Sequence, residues 1–141
     1  MKKIILYTED HPALAVSFPD NEDHSRQASI SRAVVALAEN IEAQAIVVET
    51  KSGATALQIA SIRNSIPLIA VTSDSRTVDQ LALVYGVKSY LRPVDAHADK
   101  KLTDWLRKSK LLNKGDIVVT ASGRHPGVVG TTDTIKVRVL E

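Results

Sequence analysis

Apolar and polar residues follow two different spacings along this chain, and the spacing changes at regular intervals. Continuous, largely β-branched runs at 45–48, 67–72 and 116–121 are typical of strands buried on both faces of a parallel sheet. Between these runs, apolar residues recur three or four positions apart, as on the buried side of a helix. Strands that alternate with helices predict βα units, and therefore an α/β fold with a mainly parallel sheet.

The helical spacing predicts four helices, at about 24–40, 55–64, 75–86 and 95–110. Asp23 or Ser25 can cap the first helix, the segment Ser73-Asp74-Ser75 supplies caps for the third, and Asp95 can cap the last. The residues expected to face the core are Ile30, Val34, Leu37, Ala38, Ile41, Leu57, Ala60, Ile59 or Ile62, Val78, Leu81, Ala82, Tyr85, Ala98, Leu102, Trp105 and Leu106. Trp105 is expected to anchor this packing, with a ligand role as the alternative.

Two further strands and an N-terminal segment complete the pattern. Val87 to Leu91 predicts a short strand, and 134–140 alternates polar and apolar residues, which suits an edge strand with one solvated face. Near the start, Lys3 to Thr8 can form a short strand, and a polar loop follows it. We therefore expect residues 1–25 to be an N-terminal extension, or a short strand plus loop, before a domain at 26–141.

The turn at 50–55, Thr-Lys-Ser-Gly-Ala-Thr, joins a predicted buried strand to a predicted helix. N–H groups at a helix start lack helical partners and carry partial positive charge, so such a turn can bind phosphate. Lys51, Ser52 and Thr55 add ammonium and hydroxyl donors. Capping and turn chemistry explains the same residues, so the turn alone leaves both interpretations open.

A second glycine-rich loop, 122–132, follows the predicted strand at 116–121. Its glycines permit close backbone approach, and Arg124 and His125 can contact an anion. A solvated surface loop is the alternative. Ligands of parallel sheets collect beyond the carboxyl ends of the strands, where the strand order reverses. Both loops follow strands in this way, and this coincidence strengthens the phosphate-binding interpretation.

Composition narrows the possible functions. With 141 residues, of which 44% are apolar and 24% charged, the chain is most simply one globular domain. A net charge of +2 and 4% aromatic residues give no indication of a nucleic-acid partner. The absence of cysteine excludes disulfides, thiolate catalysis and zinc sites built on sulfur. No apolar run approaches the ~20 residues of a membrane span and no signal-peptide pattern is present, so a cytoplasmic location without a membrane partner is expected.

Catalytic and metal-binding patterns are not found. The histidines show no metal-ligand spacing, the sequence shows no Ser/His/Asp triad pattern, and the GxxxxGK[ST] motif is missing. Neither a catalytic residue nor a metal site is therefore predicted.

Six segments, at 28–34, 45–56, 67–73, 81–87, 114–121 and 130–137, carry a more specific pattern. Read in order, from about Gln27 to Glu141, they resemble the C-terminal domain of pyruvate kinases. The resemblance implies a three-layer α/β sandwich with a mostly parallel five-stranded sheet of order 3-2-1-4-5, whose last strand is antiparallel. Strands 1 and 4 then meet at the switch point, and the loops 50–55 and 122–131 face each other.

In that family this domain carries an allosteric site for phosphorylated sugars or nucleotides, in which the first loop holds a phosphate and the late loop closes over the ligand. The site residues that the resemblance implies are Thr50, Lys51, Ser52, Gly53, Ala54, Thr55, Ser122, Arg124, His125 and Gly127. No cofactor is implied for this domain, since Mg and K belong to the family's catalytic barrel. The implied partners are a phosphorylated small molecule and further copies of the chain in a homo-oligomer.

The chain also departs from the family pattern. Asp133 stands where Asn is usual, Lys51 replaces a neutral or acidic residue, and His125 with Pro126 differs from the usual late loop, so the effector's identity stays open. The barrel, with its metal ligands and its phosphoenolpyruvate and nucleotide sites, has no counterpart. We expect no phosphotransfer from this chain alone, whether it is an excised domain or, as the start at Met1 favours, a free-standing protein.

Two other functions are compatible with the residues. The chain can be a subunit-assembly module that pairs through the edge strand at 134–140. It can also be a small enzyme acting on a phosphorylated substrate, for which His125 is the acid–base candidate.

Overall fold

Helices and strands alternate along the chain, as the spacing of apolar residues predicts. The computed structural model describes residues 1–10, 25–93, 98–123 and 132–141. Within these residues the elements, in chain order, are α1 Lys2–Asp10, α2 Arg26–Asn40, β1 Ala45–Glu49, α3 Ala54–Ser61, β2 Leu68–Thr72, α4 Ser75–Leu81, β3 Val87–Leu91, α5 Ala98–Lys108, β4 Ile117–Gly123 and β5 Thr132–Val139.

The strands form one five-stranded sheet in the order β3-β2-β1-β4-β5. β1 pairs in parallel with β2 and with β4, β2 pairs in parallel with β3, and β5 is antiparallel to β4. The strand order therefore reverses beside β1, because the chain leaves β1 towards β2 and β3 and then returns to β4 on its other side. This arrangement confirms the predicted fold class and strand order.

Helices cover both faces of the sheet, and the central strand β1 contributes to both cores. Ile46 and Val48 pack with residues of α2 and α3, including Val34 and Ile59. The alternate residues, Ala45 and Val47, pack on the other face with side chains of α5 and with Leu140. Because side chains of a strand alternate between faces, a continuous apolar run is what a strand between two helix layers requires.

Two predicted caps and the predicted role of Trp105 are confirmed. Ser25 Oγ accepts a hydrogen bond of 3.2 Å from Ala28 N–H at the start of α2. Asp74 Oδ1 accepts one of 2.9 Å from Arg76 N–H at the start of α4. Trp105 is a half-buried residue of α5 that packs against the core between this helix and the sheet. Its ring contacts the Tyr90 ring edge to face, at a centroid distance of 5.1 Å. The predicted caps Asp23 and Asp95 lie outside the described residues.

The N-terminal segment is a helix, so the strand predicted at Lys3–Thr8 is wrong. Backbone N–H groups of Ile4 and Ile5 both donate to the Met1 carbonyl, as in a helical turn. A strand needs a neighbouring strand to satisfy its backbone groups, whereas a helix satisfies them within its own segment. The side chains of residues 1–8 are exposed. The division of the chain between residues 25 and 26 stays a prediction.

Some residues predicted to face the core are exposed instead, namely Leu57, Ile62, Ala82 and Tyr85. Leu57 lies on the outer side of α3, while Ala56 and Ile59 are buried. Ile62 and Tyr85 lie beyond their helices, because α3 ends at Ser61 and α4 ends at Leu81, before the predicted ends. Beyond the helix ends, the helical spacing no longer predicts which side chains face the core. The Arg63 guanidinium lies over the Tyr85 ring, 4.7 Å from the ring centroid.

Candidate phosphate-binding site

The turn between β1 and α3 is held by backbone and hydroxyl hydrogen bonds. Thr50 N–H donates to the Val71 carbonyl at 3.0 Å, which continues the pairing of β1 with β2. The Thr50 hydroxyl accepts from Gly53 N–H at 3.0 Å and closes the turn. From behind, Thr77 Oγ1 donates to the Lys51 carbonyl at 2.7 Å. The turn is therefore bound to β2 and α4 as well as to its own helix.

Gly53 occupies the N-cap position of α3, and its backbone conformation requires glycine. Its φ of +80° lies in the left-handed region, which L side chains rarely adopt. A Cβ at this position would lie 3.2 Å from Leu81 Cδ2 and 3.3 Å from Thr77 Cγ2. A glycine cap has no side chain to accept a hydrogen bond from the first turn of the helix.

The first turn of α3 presents N–H groups that no helical carbonyl accepts. Leu57 N–H is the first to donate within the helix, to the Gly53 carbonyl at 2.9 Å. The N–H groups of Ala54, Thr55 and Ala56 precede it and point out of the helix end, where the partial charge is positive. Ser52 Oγ lies 3.5 Å from Ala54 N, the outer limit of a hydrogen bond.

The side chains of Lys51 and Ser52 are exposed beside this helix start. Their ammonium and hydroxyl groups can both donate to an anion that contacts the N–H groups of α3. Together these groups form a cationic and hydrogen-bond-donating surface at the carboxyl end of β1. Of the predicted site residues in this turn, Lys51 and Ser52 have exposed side chains, whereas Gly53 and Thr55 are buried.

Thr55 differs from its neighbours, because its hydroxyl is directed into the protein. Thr55 Oγ1 lies 2.8 Å from the hydroxyl oxygen of Thr132, which is the first residue of β5. Thr55 Oγ1 also accepts a hydrogen bond of 3.1 Å from Gln27 Nε2 of α2. Only 2% of the surface of Thr55 and 9% of that of Thr132 are exposed. Sequence reasoning missed Gln27 and Thr132, since no local pattern marks a contact between residues so far apart in the chain.

The second predicted loop is described only at its two ends. Ser122 and Gly123 belong to β4, where they pair with Thr134 and Thr132 of β5 across an irregularity in the register. Ser122 is therefore a half-buried strand residue and not a loop residue. Arg124, His125 and Gly127 lie outside the described residues. β4 is a direct neighbour of β1, so its carboxyl end and the turn 50–53 lie at the same edge of the sheet.

An ion pair lies at this same edge, on the other side of β1. Arg92 Nη1, just beyond β3, is 3.7 Å from Glu49 Oε1 at the end of β1. Arg92 N–H also donates to the Thr72 carbonyl at 2.8 Å. The pair spans the carboxyl end of β2 and joins three strands, so we assign it a structural contribution.

The fold and this turn define a class of protein, namely an α/β domain in which a helix begins where the strand order of the sheet reverses. Comparison with known proteins makes the class specific. Residues 28–138 match the family model described as pyruvate kinase, alpha/beta domain. The chain therefore belongs to the pyruvate kinase alpha/beta domain family.

Relatives among characterised proteins agree with this assignment. Pyruvate kinase 2 of Synechocystis sp. is 37% identical over 80% of this chain, and the Clostridium acetobutylicum pyruvate kinase is 32% identical over 86%. The Mycobacterium intracellulare pyruvate kinase is 30% identical over 97% of this chain. The matched regions cover 20%, 26% and 29% of those relatives. The chain thus spans less than a third of each.

Proposed function

We propose that this chain is a non-catalytic binding domain for a phosphorylated metabolite, such as a sugar phosphate or a nucleotide, held at the turn 50–55. The observation that carries the proposal is the start of α3, which a glycine caps at the carboxyl end of β1 beside β4. Anions bind at such helix starts through backbone N–H groups and the helix dipole. In this role the domain regulates the larger protein to which such domains belong.

The donors at the turn suit a phosphate monoester. Backbone N–H groups and the Ser52 hydroxyl provide directional hydrogen bonds, and Lys51 adds one positive charge. We propose that Ser122, near the end of β4, and Arg124, His125 and Gly127 of the following segment complete the site. This part of the proposal is supported by the family resemblance and by the position of β4 beside β1.

Phosphotransfer is not proposed for this segment alone. The relatives that carry the name pyruvate kinase are each more than three times as long as the region matched here. Within the described residues, the helices are too short or too polar to cross a bilayer. We propose a cytoplasmic location, where phosphorylated metabolites are abundant.

Isothermal titration calorimetry with glucose 6-phosphate and with AMP tests the proposal, and glucose and adenosine serve as controls without phosphate. We expect binding of at least one phosphorylated compound below millimolar concentration and none of the controls. Ser52→Ala should weaken this binding, whereas Ser61→Ala should not. Ser61 is an exposed serine at the other end of α3, and its hydroxyl bonds locally to the Gln58 carbonyl. If neither compound binds below millimolar concentration, the proposed function is wrong.

A second function, subunit assembly, is supported by the edge of the sheet. β5 is the last strand in the order, and its residues Val137 and Val139 are 50% and 56% exposed. Apolar side chains on an exposed edge strand favour pairing with another chain, here a second copy. Mass measurement in solution, with and without phosphorylated ligand, tests this function. A monomer at all concentrations would exclude self-assembly of this segment.

A further inference from the structure

The Thr55 hydroxyl joins three elements that are distant in sequence. It accepts from Gln27 Nε2 of α2 at 3.1 Å and shares a hydrogen bond of 2.8 Å with Thr132 Oγ1 of β5, while its own backbone lies in the first turn of α3. Thr55 and Thr132 are both buried, and Gln27 is half-buried. The start of α3 is therefore attached to the rest of the fold by side-chain hydrogen bonds as well as by apolar packing.

The donor and acceptor capacity of a hydroxyl shows what this attachment means for an anion. A threonine hydroxyl has one O–H to donate and two lone pairs that accept. Gln27 occupies one lone pair of Thr55, and the contact with Thr132 uses either the O–H or the other lone pair. With 2% of Thr55 exposed, its hydroxyl is satisfied by protein groups. The exposed donors of the turn, on Lys51 and Ser52, lie elsewhere.

We propose that Gln27 and Thr132 are positioning residues for the phosphate-binding turn, and that they act through the Thr55 hydroxyl. They hold the first turn of α3 against α2 and β5, and so fix the direction of the N–H groups that face the anion. Neither residue needs to touch the ligand. This inference rests on the proposed function, but the contact it invokes exists without ligand.

The physical reason is the cost of removing one hydrogen-bond partner from a buried hydroxyl. Replacing Thr132 by valine keeps the shape of the side chain but removes one half of the shared hydrogen bond. The buried Thr55 hydroxyl then keeps only the hydrogen bond from Gln27 and loses its attachment to β5, which shifts the helix start. Serine at position 132 keeps the hydroxyl and should therefore restore the wild-type arrangement.

The experiment is a double-mutant cycle with inorganic phosphate as the probe, followed by NMR of backbone amides. The variants are Thr55→Val, Thr132→Val, the double variant, and Thr132→Ser. Thr134→Val is the matched control, since it makes the same change two residues along β5, where the hydroxyl bonds locally to Asp133 at 2.8 Å. Gln27→Met tests the other hydrogen bond of Thr55, the one from α2. Gln27 is half-buried, so this position tolerates substitution more readily than the buried Thr132.

We expect Thr55→Val and Thr132→Val each to weaken phosphate binding by about threefold to tenfold, the effect of one lost hydrogen bond. The double variant should be no weaker than either single variant, because both remove the same contact. Gln27→Met should weaken binding in the same direction, whereas Thr132→Ser and Thr134→Val should bind as the wild type does. If Thr132→Val binds phosphate as tightly as the wild type or more tightly, the positioning role is wrong.

A ligand-free measurement separates failure of this inference from failure of the proposed function. Without phosphate, Thr132→Val should shift the amide signals of Gly53 and Ala54, while Thr132→Ser and Thr134→Val should leave them in place. Unshifted signals in Thr132→Val would overturn the inference whether or not phosphate binds. If phosphate moves no signal of the turn in the wild-type protein, the proposed function fails, and the ligand-free comparison still decides whether Thr132 positions the helix start.

Discussion

Substitution of Gly53 by alanine perturbs the turn in two ways that the structure separates. The first is conformational, because φ is +80° and an L residue in the left-handed region costs roughly 1–2 kcal/mol. The second is steric, because the new Cβ would lie 3.2 Å from Leu81 Cδ2 and 3.3 Å from Thr77 Cγ2. These distances require the neighbours to move by a few tenths of an ångström.

Neither neighbour moves easily. Thr77 Oγ1 donates to the Lys51 carbonyl at 2.7 Å, so rotating Thr77 would break a hydrogen bond that holds the turn. Leu81 is buried and packs with Ala56 and Ala70. Overpacking of a dense core typically costs ~1–3 kcal/mol, so we expect Gly53→Ala to lower the free energy of unfolding by about 2–5 kcal/mol in total.

Urea unfolding followed by circular dichroism measures this loss, and Gly86→Ala is the matched control. Gly86 has a φ of +76°, close to that of Gly53, but a Cβ there would have no neighbour within 4 Å. Gly86→Ala should therefore show the conformational cost alone, and the difference between the two variants gives the steric cost. Equal destabilisation of both would refute the steric reasoning. A neutral effect at both positions would refute the conformational reasoning as well.

Two more predictions concern the turn and its neighbouring helix. Replacing Ser52 by alanine should weaken binding of a phosphorylated ligand by about 1–3 kcal/mol, the value of a hydrogen bond to a charged group. Lys51→Met should weaken binding by less than ~1 kcal/mol, because the ammonium is exposed. The effect of Lys51→Met should disappear at high salt, which screens exposed charges. Calorimetry at two salt concentrations separates the two residues, and a salt-independent Lys51 effect would contradict this assignment. Asp74→Ala should lower the free energy of unfolding by roughly 1 kcal/mol, because α4 loses its side-chain cap. Thermal unfolding checks this, and an unchanged midpoint would show that the cap contributes nothing.

The sequence predicted most of the sheet because buried parallel strands have a local signature. The runs at 45–48 and 68–71 are apolar at every position, and the structure buries them between two layers of helices. The family resemblance supplied the strand order, which composition alone does not determine. The helix faces were predicted less well near their ends, as Ile62 and Tyr85 show, because a helical period does not indicate where the helix stops.

The N-terminal segment shows a different limit. Lys3–Thr8 is rich in residues that suit a strand, but strand formation depends on a neighbour that the local sequence does not specify. The candidate site was likewise predicted only in part. The turn 50–53 follows from its strand, its glycine and the next helix, all adjacent in sequence. The partners of Thr55 lie on α2 and β5, and only the folded chain brings them together.

The antiparallel direction of β5 has a consequence for how such domains can diversify. Because β5 runs opposite to β4, the pair Gly123 and Thr132 marks where the connecting segment leaves the sheet and where it returns. Both anchor points are at the same edge of the sheet as the turn 50–53. We therefore expect connecting segments of other lengths and compositions to be accepted between these two residues with little loss of stability. Replacing this one segment would then change ligand preference, while the sheet and the helix start at which we propose phosphate binding stay the same.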